Sequence, residues 1–518
     1  MTRFEPIDRD IEAQPARGEF ARHYAAGTAQ VVWTRLIADL ETPVSAMLKL
    51  MDEQPPSCLL ESVQGGASRG RYSIIGLAPD IIWRAFGSRA ELNHDPQATP
   101  NAFTVDAAPT LASLRDLLAR SRVELPAELP PIAAGIIGYM GYDTVRLIEH
   151  LPSTKPDALA LPDAVFVRPT LMLVFDTIKD EIAVVTPVRP RPGIDAAAAY
   201  AAALERLRGV LAALDAPLPH ATSMSAIDLS LPDAVSNTSP AEYKAMVGRG
   251  KDYIAAGDVF QVVLSQRFDA PFALPPFALY RALRRTNPSP FLFHLEFGDF
   301  ALVGSSPEIL VRVRDGEVTI RPLAGTRRRG NTPEEDQALE RELLADPKER
   351  AEHLMLLDLG RNDVGRVSTI GSVHVKESFA IERYSHVMHI GSHVVGRLDQ
   401  RHDVVDALMA GFPAGTLSGA PKVRAMEIID ELEKEKRGPY GGCVGYFSAD
   451  GEMDSCIVLR TAVVKDGKIY VQAGAGVVAD SDPDAEQLEC ELKARALIKA
   501  AEEAVRFAAR GKRGNRPS

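Results

Sequence analysis

Strand-like runs that succeed one another without a helix between them cannot build a parallel sheet, because a parallel pair needs a crossover of a dozen or more residues. In this chain SCLLESV, RYSIIGL, IIWRAF, TLMLVFDT and EIAVVTPV follow one another across residues 28–190, separated by turns. Further on, DVFQVVLSQRF, FLFHLEF, FALVGS, LVRVR and EVTIRP do the same. Long helical stretches are present but do not alternate regularly with the strands. The pattern predicts an α+β fold with mostly antiparallel sheets rather than a doubly wound one.

Between the two strand-rich parts lie an alanine-rich helix, about 195–214, and the Pro-, Ser- and Ala-rich stretch DAPLPHATSMSAIDLSLPDAVSNTSP, read as a connector. The chain thus divides into a region at 28–190, a helix and connector at 191–238, a second region at 239–505 and a basic, flexible tail at 506–518. The second region starts sharply. Ser239 to Glu242 (SPAE) reads as a capping box with proline at the first helical position, and the helix it opens should stop at Gly257. Thr332 to Glu335 (TPEE) carries the same signature, and Asp346 to Glu349 (DPKE) repeats it with aspartate.

The formal net charge of -11 argues against a general nucleic-acid binder, which needs a basic face. The four cysteines, Cys58, Cys443, Cys456 and Cys490, form no CxxC pair, which points to a reducing, cytoplasmic setting. No apolar run approaches the ~18 residues of a membrane span. Against this acidic background IRPLAGTRRRG, residues 320–330, stands out. Arg327, Arg328 and Arg329 could hold an anion or could serve structural ion pairs.

Two helices carry carboxylates at helical spacing. Glu349, Glu352 and Leu356 share one face, and Glu486, Glu489 and Lys493 share another. Each set reads either as a solvated face with an ion pair or as half of a site for a hard divalent cation such as Mg²⁺. VQAGAGVVADS, with Gly474 and Gly476, lacks the third glycine of a dinucleotide fingerprint and fits close backbone approach to a ligand carboxylate better. GIIGYMGYD is read as tight sheet packing. Neither a GxxxxGK[ST] loop nor a GxSxG elbow occurs, which argues against an NTPase and the commonest serine hydrolases.

Taken together, LLESV, RYSIIG, GYMGYDTVR, GDVFQVVLSQRF, NPSPFLFHL, SSPEIL, RPLAGTRRRG, ERAEHLMLLDLGRNDVGRV, VMHI, FPAGTLSGAPKVRAMEIIDELE, YGGCVGYF, CIVLRTA and VQAGAGVVADSDP resemble the chorismate-utilising enzymes. Within that family they are most similar to the component I branch of the anthranilate synthases. The resemblance implies a four-layer α/β/β/α core with two orthogonally packed, mostly antiparallel sheets. It also implies a Mg²⁺-dependent lyase that converts chorismate and ammonia to anthranilate and pyruvate, the first committed step of tryptophan biosynthesis.

Residue by residue, the resemblance assigns Glu352 and Glu489 to Mg²⁺, with Glu349 and Glu486 in support. It assigns Gly325, Thr326, Tyr440, Arg460, Gly474, Ala475, Gly476 and Lys493 to chorismate, and His389 and Thr326 to catalysis. His389 would protonate the departing C4 oxygen or assist the later loss of pyruvate. Relatives that make aminodeoxychorismate carry lysine at the position of Ala324, and those that add water carry lysine at the position of Gln261. With neither lysine, the nucleophile must come from outside. Glu61, Ser62, Pro290, Phe291, Leu292 and Cys456 match the family's tryptophan feedback pocket, although many relatives have Tyr-Met where this chain has Phe291-Leu292.

No cysteine sits in a glutaminase nucleophile context, so the resemblance implies a separate glutamine amidotransferase subunit (component II) that supplies ammonia. The implied assembly is a cytoplasmic heterotetramer of two large and two small subunits. Two alternatives remain at this point: aminodeoxychorismate synthase component I, against which Ala324 speaks, and a non-catalytic tryptophan-binding relative.

Overall fold

The computed structural model describes residues 11–51, 55–64, 68–152, 155–219, 233–384 and 387–511. Among them every strand-to-strand ladder is antiparallel, as the unalternated strand runs require. The fold is α+β, and the described strands join into one 22-stranded hydrogen-bonded network.

The division at residues 190 and 239 does not survive as a structural seam. Strand Ser57–Gln64 pairs with Phe291–Glu296, with Glu61 opposite Leu292. Strand Gly135–Met140 pairs with Cys443–Ser448, with Met140 opposite Cys443. Unpaired edges would leave rows of backbone N–H and C=O groups open, and here each half closes the other's edge. The cores mix in the same way: Ile75 and Leu173 share a cluster with Leu279 and Leu497. The fold also begins before residue 28, with helix Arg17–Ala25 and a bridge between Gln14 and Trp33.

Helix Ala196–Asp215 is capped by Asp195 and buries Ala199, Ala203, Leu207, Val210 and Leu214, a stripe at helical spacing. The connector at 220–232 lies outside the described residues. Helix Pro240–Ala255 has both halves of its capping box and ends just before Gly257, whose φ of +86° is left-handed. At helix Pro333–Ala345 only half the expected box forms. Thr332 Oγ1 accepts from the Glu335 N–H, but the Glu335 carboxylate turns to the cationic Arg328 and to the Asn331 N–H instead of the Thr332 N–H. At the C-terminus, helix Pro483–Gly511 continues through residues expected to be tail, so 506–511 belong to it; 512–518 lie outside the described residues. Among the described residues no helix is long and apolar enough to cross a membrane.

Two strand pairs carry the site. Gln261–Pro271 runs against Lys468–Val477, setting Val263 opposite Gly476 and Ser265 opposite Gly474. Leu323–Arg328 runs against Val387–Arg397, setting Thr326 opposite His389. The register of this second pair slips between Ala324 and Thr326, where Gly325 takes a φ of +73° that other residues adopt only at a cost.

Candidate active site

A cavity of about 760 Å³ opens between these strand pairs and two long helices. Helix Pro347–Gly365 starts at Asp346, whose carboxylate accepts from the Lys348 and Glu349 N–H groups. Helix Pro483–Gly511 starts at Asp482, which accepts from Asp484 and Ala485 in the same way. Starts fixed this firmly set the helical phase, and Glu349 and Glu352 of the first helix face one cavity with Glu486 and Glu489 of the second.

The negative charge is self-opposed. Burial raises the pKa of Glu352, a hydrogen bond from Gln261 Nε2 at 3.3 Å lowers it, and the charges of Glu349 and Glu489 raise it again. Burial likewise raises Glu486, and Glu489 adds to the effect. Lys493 offsets part of the charge, donating to Glu489 at 2.6 Å and to the Gly474 carbonyl at 2.8 Å. No three acidic, histidine or cysteine side chains among the described residues converge closely enough to hold an ion by themselves. The donor set suits a hard cation that keeps waters and takes its remaining ligands from an anionic substrate. Mg²⁺ fits these residues on that ground.

The same cavity is lined by His389, Arg460 and Tyr440. His389 Nδ1 stands 3.1 Å from the Gly325 carbonyl and 3.0 Å from Thr326 Oγ1. A carbonyl can only accept, so Nδ1 carries the proton and Nε2 is a bare lone pair. Burial, with the positive charge of Arg460, pushes the His389 pKa down to about 4, so the ring is neutral at pH 7. Arg460 holds a left-handed φ of +49°, a strained conformation for a side-chain-bearing residue. Its guanidinium has no hydrogen-bond partner among the described residues. Tyr440 is buried beside Gly474: a Cβ added there would lie 2.9 Å from the tyrosine Oη.

Glu308 was invisible in the sequence, where it sits inside SSPEIL. Its side chain lines the cavity and is 7% exposed, accepting from Thr416 Oγ1 at 3.2 Å and from the Leu323 N–H at 3.5 Å. Burial pushes its pKa up to about 8, so it is a protonated acid at neutral pH. An acidic residue flanked by apolar ones in a strand-rich stretch was the only available signal. Thr416 and Gln472 complete the polar lining and were likewise not foreseen.

One expectation is corrected and one open alternative is decided. Ala475 does not face the cavity. In a strand successive side chains point to opposite faces, so Gly474 and Gly476 line the cavity while Ala475 is packed into the core at 0% exposure. The arginines of the TRRRG stretch are not an anion grip. Arg327 pairs with Glu342, Asp346 and Glu349, Arg328 with Glu335, and Arg329 with Asp336. None lines the cavity, whose cations are Arg460, Lys493 and Lys348.

A second cavity, of about 310 Å³, lies among the interlocked strands. Glu61, Ser62, Phe291, Leu292 and Cys456 all line it, whereas Pro290, one residue ahead of its strand, does not. Glu61 is already engaged: Arg284 donates to both its oxygens, at 2.6 and 2.9 Å, and Tyr280 Oη donates as well.

Comparison with known proteins narrows what such a site serves. Residues 57–499 match the chorismate binding enzyme family. The chain is 58% identical to anthranilate synthase component 1 of Cereibacter sphaeroides, over 96% of this chain and 99% of that one. It is 48% identical to the protein of that name from Pseudomonas putida, over 93% and 98%. The crystal structure of anthranilate synthase component I from Streptococcus pneumoniae superposes with a TM-score of 0.72 at 38% identity, covering 83% of this chain and 92% of that one. The menaquinone-specific isochorismate synthase of Escherichia coli, 20% identical over 94% and 99%, shares the fold with a TM-score of 0.68.

Proposed function

The chain belongs to the chorismate-binding enzymes, in the branch of the anthranilate synthase component 1 proteins, and from that premise we propose that it is the ammonia-using lyase subunit that makes anthranilate and pyruvate from chorismate with Mg²⁺. The observation that carries the reading is chemical. The cavity offers charge, a proton donor and a base, but no nucleophile. Ala324 presents a methyl group and Gln261 an amide. Of the two lysines at the cavity, Lys493 is committed to Glu489 and Gly474, and Lys348 lies in the exposed first turn of its helix.

Glu352 and Glu489, backed by Glu349 and Glu486, would hold Mg²⁺, which when bound neutralises the ring carboxylate. Arg460 grips the enolpyruvyl carboxylate through its planar fork. Gly325, Gly474 and Gly476 let the ring approach the backbone. As ammonia adds at C2, the C4–O bond breaks and Glu308 gives its proton to the departing oxygen, so that water leaves. The Glu308 carboxylate then takes the proton shed by the new ammonium group. His389 Nε2 removes the remaining C2 proton as the enolpyruvyl C–O bond breaks, and returns it to the departing pyruvate. Aromatisation drives the second step.

All four cysteines are buried, and burial raises every one of their pKa values, those of Cys58, Cys443 and Cys490 to about 12. No thiolate is available to hydrolyse glutamine, which supports a separate amidotransferase as the ammonia source. The second cavity is the proposed tryptophan feedback site: Phe291, Leu292 and Cys456 offer an apolar wall for an indole, and Ser62 a hydroxyl for the ligand's polar end. The deciding assay is the purified chain with chorismate, Mg²⁺ and either ammonium or glutamine at alkaline pH, followed by anthranilate fluorescence. Ammonium should give product and glutamine none; silence with ammonium, or product from glutamine alone, would overturn the reading.

A further inference from the structure

Away from both cavities, four neighbouring arginines have a single carboxylate, Asp80, among them. Arg168, in strand Ala164–Asp176, donates to both oxygens of Asp80, at 2.7 and 2.9 Å, and reaches Ser121 Oγ at 3.4 Å. Arg191 approaches the same Asp80 at 3.9 Å. Arg189 donates to the Ser121 carbonyl at 3.1 Å, and its Nε is buried with no partner. Arg206, on helix Ala196–Asp215, donates to Thr186 Oγ1 at 2.8 Å. None of these residues lines the chorismate cavity or the second cavity.

The imbalance is unusual for this protein. Other sheltered arginines outside the active-site cavity meet carboxylates directly: Arg437 faces Glu433, Arg146 faces Asp143 and Asp430, and Arg327 faces three. Here Arg168 and Arg191 share Asp80, while Arg189 and Arg206 have only the neutral Ser121 carbonyl and Thr186 hydroxyl as partners. Burial lowers the pKa of Arg189 to about 10, and Arg168 and Arg191 push it the same way. Burial and Arg191 lower Arg206 likewise, and Asp80 is the one offsetting charge for both. A desolvated cation among like charges is unfavourable unless a counter-charge joins it.

We propose that this cluster is a binding site for a small free oxyanion of the phosphate type. Arg189 and Arg206 donate to neutral oxygens and to no carboxylate, and planar guanidinium groups match the oxygens of a tetrahedral anion. Arg168 is buried, and only Arg191, with its side chain 65% exposed, lies well open to solvent. So sheltered a group of donors suits a single ion and not an extended polyanion, which the overall charge of -11 would also repel. A bound anion would tie the end of strand Glu181–Val188 to helix Ala196–Asp215 and to the end of helix Thr110–Ser121.

The test is thermal unfolding of the full chain against inorganic phosphate at constant ionic strength set with chloride. Phosphate at a hundred times its Kd should raise Tm saturably, by about 3 °C. Arg189→Gln and Arg206→Gln should lose that increment, while their Tm in chloride stays level or rises, because each removes an uncompensated cation. General salting-out by phosphate acts on parent and variants alike, so the difference between them isolates the site. Phosphorus NMR line broadening in the parent gives an independent reading of binding. A phosphate increment that persists undiminished in both variants, or a parent without saturable binding, would overturn the proposal.

Discussion

Replacing Glu308 by glutamine should slow the enzyme and stabilise it at the same time. The parent carboxyl is displaced from 4.5 to about 8 by burial. Raised in the folded state, it binds a proton that the unfolded chain releases. Stability is therefore unaffected below about pH 4.5, falls as pH rises from there through about 8, and levels off above. At about 1.4 kcal/mol per tenfold change in proton affinity, the loss amounts to roughly 5 kcal/mol at pH 9. Glutamine keeps the volume and can still accept from Thr416 and Leu323, but it carries no titrating proton. The variant should match the parent in urea unfolding at pH 5 and exceed it by a few kcal/mol at pH 9. Its kcat should fall by roughly 10²–10⁴, because the departing C4 oxygen loses its proton donor. Turnover per free NH₃ should decline above about pH 8 in the parent and lack that limb in the variant. A kcat within tenfold of the parent would remove Glu308 from the chemistry, and a stability difference independent of pH would refute the raised pKa.

Three further outcomes are expected. Glu352→Gln or Glu489→Gln should cut turnover at limiting Mg²⁺ by more than about a hundredfold with little change in Tm, since a hard cation loses a charged ligand; near-normal turnover would mean the metal sits elsewhere. Gly476→Ala puts a Cβ 2.6 Å from Gln261 Nε2, so that amide must move off Glu352. Anthranilate formation from ammonium should drop roughly 10- to 100-fold, and kinetics equal to the parent's would show that Gln261 need not hold its position. Ser62→Arg should raise the tryptophan concentration for half-inhibition by roughly tenfold or more while uninhibited turnover stays within about twofold, and superimposable inhibition curves would detach the second cavity from tryptophan.

How far the sequence carried depended on the range of the physics involved. Helix starts were legible because Pro240 after Ser239, or Pro347 after Asp346, acts within one turn. Antiparallel sheets were legible because the order of strand runs excludes crossovers. The carboxylate faces were legible from spacing alone, but their meeting across a cavity was not. Glu308 stayed hidden because burial, which gives it its proton, is a property of the fold and not of SSPEIL. The role of Arg327 stayed open for the same reason. Its partners Glu342, Asp346 and Glu349 lie on two later helices, and sequence adjacency of three arginines says nothing of what neutralises them. Ala475 needed only the period-two rule, applied within a segment that was read for close backbone approach to a ligand.

The interlocked strands also set how this chain must be made. Met140 pairs with Cys443, and Glu61 with Leu292, so ladders begun early in synthesis wait for residues emitted far later. At about 5–20 residues per second, the edge of strand Gly135–Met140 stays unpaired on the ribosome for tens of seconds. That strand is buried along its whole length in the finished protein. Loop closure over such separations makes the last pairing slow, and a nascent apolar edge is a template for wrong partners until it happens. Chains cut short ahead of Cys443 are thus expected to aggregate as they emerge, and a catalytic half expressed alone would lack the strands that close its sheet.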